Sequence, residues 1–203
     1  FFVGYCGVSP LIVTLGALNI ARGLALILAG GSAMYNFPTW FTDLGTSRVL
    51  GVPLLFVIAL TVFAVFAVVL RFTTFGVSLY AAGGNAQAAE LSGINVKFIR
   101  FVTYALAGAV TAIAGLMLCA RTGGGEPTAG FLYELEAIAA VVLGGASLAG
   151  GEGRLWRSMV GILLLTALGN GLNIVGVHPH WKGVAIGGIL VLAASLEALR
   201  RRK

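Results

Sequence analysis

Few residues in this chain have the types and spacing that chemistry requires. Ser147 lies in Gly145-Ala146-Ser147-Leu148-Ala149, one glycine short of the G-x-S-x-G elbow that exposes a serine nucleophile. The stretch also departs from the G-x-S-G arrangement of intramembrane serine proteases, and no histidine lies in an apolar run to serve as base. His178 and His180 flank Pro179, and an H-x-H without further ligands reads as a polar turn rather than a metal centre. Cys6 and Cys119 sit in separate apolar runs without a second thiol or histidine at ligand spacing, so neither a zinc site nor a disulfide framework is indicated. No G-x-x-x-x-G-K-[ST] phosphate loop occurs. No cofactor or metal is therefore expected.

The remaining polar candidates are residues set within or beside apolar runs. Asn19 and Arg22 are three apart, on one face of a helix, where a charge is costly unless it meets a cavity, a partner group or the interface. Asn170 and Asn173 repeat that spacing near the end of another apolar run. Amides both donate and accept, so the pair suits a hydroxylated solute or a bridge between helices. These four are the candidates for a solute path. Glu134 and Glu136 precede a short apolar run and are candidates for docking a partner through its basic groups, with a solvated loop as the equal alternative.

The elements that must hold these groups are membrane helices. Of 203 residues, 59% are hydrophobic and 10% charged, and the mean hydropathy is +1.00. Ordinary soluble domains are about 25% charged. The 13 basic and 7 acidic residues cannot cover a soluble fold of this size. The net charge of +6 does not indicate nucleic acid, because the cations stand at the ends of apolar runs. Residues 1 to 30 provide one span interrupted by Asn19 and Arg22, Val52 to Leu70 a second, Phe101 to Ala120 a third and Ser158 to Val177 a fourth, with Gly183 to Leu196 as a further apolar run. Ala137 to Gly151 has only 15 uncharged residues and predicts a re-entrant or half-length helix. Residues 31 to 51 predict a loop with a short interfacial helix around Phe37, Trp40 and Phe41. The glycine pairs at 30, 83, 144, 150 and 187 read as sites of close helix packing.

Between the second and third spans lies a polar island, YAAGGNAQAAELSGINVKFIR, from Tyr80 to Arg100. Asn85 is a good N-cap, Ala86 to Ser92 are mostly helix formers, and Gly93 is placed to end the helix in a left-handed conformation. So short a helix cannot hold its shape alone in water and must dock on something. Alternating the spans backwards from a cytoplasmic Arg200 to Lys203 tail puts nine of the 13 cations inside, including Arg71, Lys97, Arg100, Arg154 and Arg157. The island is then cytoplasmic, and residues 31 to 50 and 121 to 136 are external.

Gln87-Ala88-Ala89, three residues, then Gly93 resembles the E-A-A-x-x-x-G loop of permeases in ATP-binding-cassette importers. YAAGGNAQAAELSGINV, EPTAGFLYELEAIAAVVLGGASLAGGEGR and LGNGLNIVGV together resemble the membrane subunit of bacterial monosaccharide importers of the ribose type, over nearly the whole chain. The resemblance implies an all-α polytopic transmembrane bundle, residues 1–203 forming one permease domain, in the bacterial inner membrane with a cytoplasmic C-terminus. It implies a second permease subunit, a cytoplasmic ATP-binding-cassette ATPase and a periplasmic or extracellular sugar-binding protein. Residues 83–97 would be the coupling-helix region, with Gly84, Asn85, Gln87, Ala88, Ala89, Glu90, Gly93 and Ile94 as its ATPase-coupling set. It further implies a longer N-terminal portion, with more spans, ahead of Phe1. Val77 departs from the basic residue that such permeases commonly carry after the glycine. A secondary transporter or channel-like protein without an ATPase is the alternative reading.

Overall fold

The computed structural model describes residues 1–177 and, beyond them, positions 181, 183–185, 187–189, 191 and 195. The cationic tail and the H-x-H histidines lie outside the described residues, as does much of the last apolar run. The described chain is helical apart from one small hairpin, as expected for an all-α membrane bundle. Among the described residues, four helices are long and apolar enough to cross a membrane: α1 (Pro10–Leu28), α3 (Leu54–Phe72), α6 (Val96–Thr122) and α8 (Leu155–Ile174). They match the four expected spans. Between them come α2 (Thr39–Thr46), the two-residue strands β1 (Arg48–Val49) and β2 (Val52–Pro53), α4 (Thr74–Gly84), α5 (Ala86–Leu91) and α7 (Tyr133–Leu143).

The chain forms two compact units, residues 1–79 with 89–129, and residues 80–88 with 130–203. In the first, the ends of α6 meet different partners. Its N-terminal turns meet the first residues of the chain: a Cβ on Gly4 would lie 2.9 Å from the Lys97 carbonyl oxygen, and the Tyr5 and Phe101 rings stand edge to face at 6.1 Å. At its other end, Gly45 of α2 packs directly on the Ala120 carbonyl. Met34 and Gly125 exchange backbone hydrogen bonds of 2.9 and 2.8 Å just beyond. The loops around residues 31–46 and 120–125 therefore share one end of this unit. Residues 1–8 share the other with Lys97, and Cys6 and Cys119, both free thiols, fall at opposite ends.

Short polar signals set the helix limits. Pro10 opens α1, where its missing N–H costs nothing. Thr73 is extended, and its hydroxyl, bonded to the Val69 carbonyl at 2.6 Å, helps stop α3 after Arg71 and Phe72. Asn95 caps α6 through a 3.0 Å bond from the Phe98 N–H to its Oδ1, and Gly123 leaves it in the left-handed conformation. At 27 residues α6 is about 40 Å long, enough to carry Lys97 and Arg100 beyond the hydrocarbon. The β1–β2 turn takes positive φ at both Leu50 (51°) and Gly51 (83°), the twist a two-residue hairpin requires.

The second unit is built on an antiparallel helical hairpin. Gly161 of α8 sits against the Ala140 carbonyl of α7, and Gly144 would place a Cβ 2.6 Å from the Arg157 carbonyl oxygen. Ala139, Ala140 and Leu165 form the buried core of this contact. With 11 residues α7 is about 16 Å long, against a hydrocarbon thickness of about 30 Å, so it is the half-length helix the short run predicts. It lies earlier than the uncharged run: it starts at Tyr133, taking Glu134 and Glu136 into its first turn, and ends before the turn at Gly144–Gly145. Gly161→Ala is expected to force the two helices apart and cost about 1–3 kcal/mol. Gly171→Ala, whose Cβ would meet open space, is expected to be neutral or slightly stabilising. Thermal unfolding of the two variants in detergent separates them.

Candidate coupling helix and path residues

The middle of the polar island folds into a helix, α5, defined at both ends by its own sequence. Asn85 Oδ1 accepts a 3.0 Å hydrogen bond from the Ala88 N–H, satisfying one donor that the first turn of α5 leaves open. At the other end Gly93 has φ +84°, its N–H donates to the Glu90 carbonyl at 3.0 Å, and the Ile94 N–H donates to the Ala89 carbonyl at 3.0 Å. This crossed pair is the Schellman closure, which needs a residue free to be left-handed. Asn85 and Gly93 thus do what their types predict. Leu91 ends the six helical residues, and Ser92 leads into the closing glycine.

Within α5 the side chains divide. Ala89 is buried in the chain, while Gln87, Ala88, Glu90 and Leu91 are exposed. Leu91 is 91% exposed. It is absent from the set expected on sequence grounds, yet it is the large apolar side chain of α5, and it is exposed. The signal was available as a leucine in the last turn before the closing glycine. Ile94 is half-buried after the closure, and Val96 and Ile99, at the start of α6, are buried. Lys97, the last residue of the expected 83–97 coupling region, belongs to the first turn of α6. Gly84 ends α4, a helix over Thr74–Gly84 that the sequence does not announce, since it carries no charge and three glycines.

The other candidates do not converge on one place. Asn19 spends its Nδ2 on the Leu15 carbonyl of its own helix at 3.0 Å. Arg22, one turn on, is partly buried. Asn170 and Asn173 are exposed on α8, off the Gly161–Leu165–Gly169 stripe that packs inward. Exposed amides in an apolar helix are costly against lipid, so this side of α8 must meet protein or water. Glu134 and Glu136 are half-buried in the first turn of α7. The register that sets Ala140 beside Gly161 and Gly144 beside Arg157 places them level with the C-terminal half of α8.

Among the described residues, four helices long and apolar enough to cross a membrane mark a multi-pass membrane protein. Residues 2–194 match the family described as branched-chain amino acid transport system / permease component. The chain belongs to this permease family. The permease is 40% identical over 191 residues to the ribose import permease protein of Bacillus subtilis (strain 168), covering 93% of this chain and 59% of that protein. It is 36% identical over 201 residues to the D-allose transport system permease protein of Escherichia coli (strain K12), covering 97% and 60%. With the galactose/methyl galactoside import permease protein of Salmonella typhimurium (strain LT2) it shares 34% over 208 residues, covering 98% and 61%. The chain thus spans about three-fifths of the length of these relatives. No solved structure matches it.

Removing the cap tests the local account. Asn85→Ala is expected to destabilise the first turn of the permease's α5 by about 1 kcal/mol, and Asn85→Asp, which retains an acceptor, to preserve it. Hydrogen exchange should show faster protection loss over residues 86–91 in the first variant only.

Proposed function

We propose that this permease is part of the membrane subunit of an ATP-binding-cassette importer, moving a monosaccharide or similar small hydroxylated solute by alternating access. Its α5 is the coupling helix, docking in a groove of a cytoplasmic ATPase. A second permease subunit completes the path, and a periplasmic or extracellular binding protein delivers the solute. The observation that carries this reading is Leu91: a large apolar side chain, 91% exposed, on a doubly capped helix that lies outside every apolar span. Water penalises such a residue, and a helix of six residues is not stable unaided. A partner groove resolves both costs at once, with Gln87 and Glu90 at its edge.

Orientation follows from charge. In sequence, Arg71, Lys97 and Arg100 flank α4–α5 and Arg154 and Arg157 stand at the start of α8, and the cytoplasmic side of a membrane protein retains such cations. The end bearing Met34, Gly45 and Gly125 is then external. The absence of a phosphate loop fits a subunit that receives work from another chain. A sugar is favoured by the ribose, allose and galactose named for its relatives, and by the amides of Asn170 and Asn173 as acceptors and donors for hydroxyls.

Isolation of the native complex in mild detergent tests this reading: an ATP-hydrolysing subunit and a binding protein with retained sugar are expected. Leu91→Asp should lower retention of the ATPase by about tenfold or more, the effect of losing one buried apolar anchor, while leaving membrane insertion intact. Full retention in that variant, or a parent complex without any nucleotide-binding partner, contradicts the coupling role. Uptake of leucine in place of ribose, allose and galactose would move the solute class to amino acids.

A further inference from the structure

Two glycine pairs that lie far apart in sequence meet backbone to backbone. Gly83 and Gly84 end α4 immediately before the Asn85 cap of α5, and Gly150 and Gly151 lie in the loop between α7 and α8. A Cβ on Gly83 would lie 2.7 Å from the Gly151 nitrogen, and one on Gly150 would lie 2.7 Å from the Gly83 carbonyl oxygen. A Cβ on Gly151 would run into the Gly84 Cα. Gly84 itself is different, because its Cβ would find the Gly151 Cα at an ordinary 3.8 Å. Gly150 and Gly151 also have φ of +94° and +74°, which bars side chains there on conformational grounds.

The loop on the far side of this contact is closed on itself. Ser147 N–H donates to the Glu152 carbonyl at 3.0 Å, Gly150 N–H to the Ser147 carbonyl at 3.2 Å, and Ala149 N–H to Ser147 Oγ at 3.1 Å. It is anchored at its base by the tight approach of Gly144 to Arg157 and Ser158. Side chains absorb small displacements by changing rotamer, but here none stands between the two backbones. A shift of Gly83 and Gly84 must therefore move the loop or break the contact.

We propose that this glycine clasp is the relay between the coupling helix and the α7–α8 hairpin, with Gly83, Gly150 and Gly151 as positioning residues for transport. The inference rests on the reading of α5 as the ATPase-docking helix. Movement of α5 pulls on the clasp through Asn85, and the clasp turns the base of the hairpin that carries Glu134, Glu136, Asn170 and Asn173. Substituting a clasp glycine uncouples the hairpin without touching the docking surface.

The test uses the intact complex with its ATPase, in a Cys6→Ser, Cys119→Ser background carrying Leu168→Cys on the exposed side of α8. The rate of thiol labelling is measured with and without a non-hydrolysable ATP analogue. In the parent and in Gly108→Ala, whose Cβ would meet open space on α6, the analogue should change the rate by about fivefold or more, the lower end of ordinary coupling between sites. In Gly83→Ala and, independently, Gly150→Ala, the change should vanish while the ATPase remains bound. An unchanged response in both variants overturns the relay. So does loss of the ATPase, or of membrane insertion, in both, because the clasp would then serve docking or folding alone. A parent that binds no ATPase instead refutes the reading of α5 itself.

Discussion

Contact between bare backbones holds this protein together. In hydrocarbon the lipid tails are as apolar as leucine, so burying apolar side chains between helices yields little, and cohesion depends on how closely atoms can approach. The permease meets this constraint with glycine: Gly45 on Ala120 where α2 meets α6, Gly161 on Ala140 and Gly144 on Arg157 where α7 meets α8. Each is a place where a single Cβ would separate the partners. The large side chains face outward, as they must when the solvent is lipid, and α1 and α3 contain no buried residue. Small residues make the joints of both units.

The same economy shapes the region where work is proposed to enter. A helix outside the lipid needs its ends satisfied, because water competes for every open donor and acceptor. Asn85 and Gly93 provide this within a few residues, and the Ile94–Ala89 bond seals the far end. What is left exposed is then informative. Leu91 is 91% exposed on the helix proposed to dock, and a partner groove would cover it. On this account α5 is a rigid plug, and the glycines before it are the place where its motion reaches the rest of the chain.

Much of this was legible in the sequence, for identifiable reasons. Uncharged runs bracketed by arginine mark α3 and α6, and asparagine and glycine at the right spacing mark α5. Helix ends within mixed composition were less visible. α4 hides in an uncharged, glycine-rich stretch, and α7 takes in two glutamates that composition assigns to the preceding loop. The β1–β2 hairpin depends on Leu50 adopting a backbone conformation that leucine rarely takes, so no local propensity announces it. The pairing of Gly83 with Gly150 and Gly151 is long-range, and glycine carries no pattern to reveal its partner. Of the candidate residues, those whose role is a backbone bond, Asn85 and Gly93, were readable. Those whose role depends on exposure, Leu91 above all, required the fold.

The most direct measurement places a photo-activatable cross-linking residue at Leu91 in the full-length permease and irradiates native membranes. The account predicts one dominant adduct, to the ATP-hydrolysing subunit, on the cytoplasmic side. Adducts confined to lipid or to an external binding protein would contradict it.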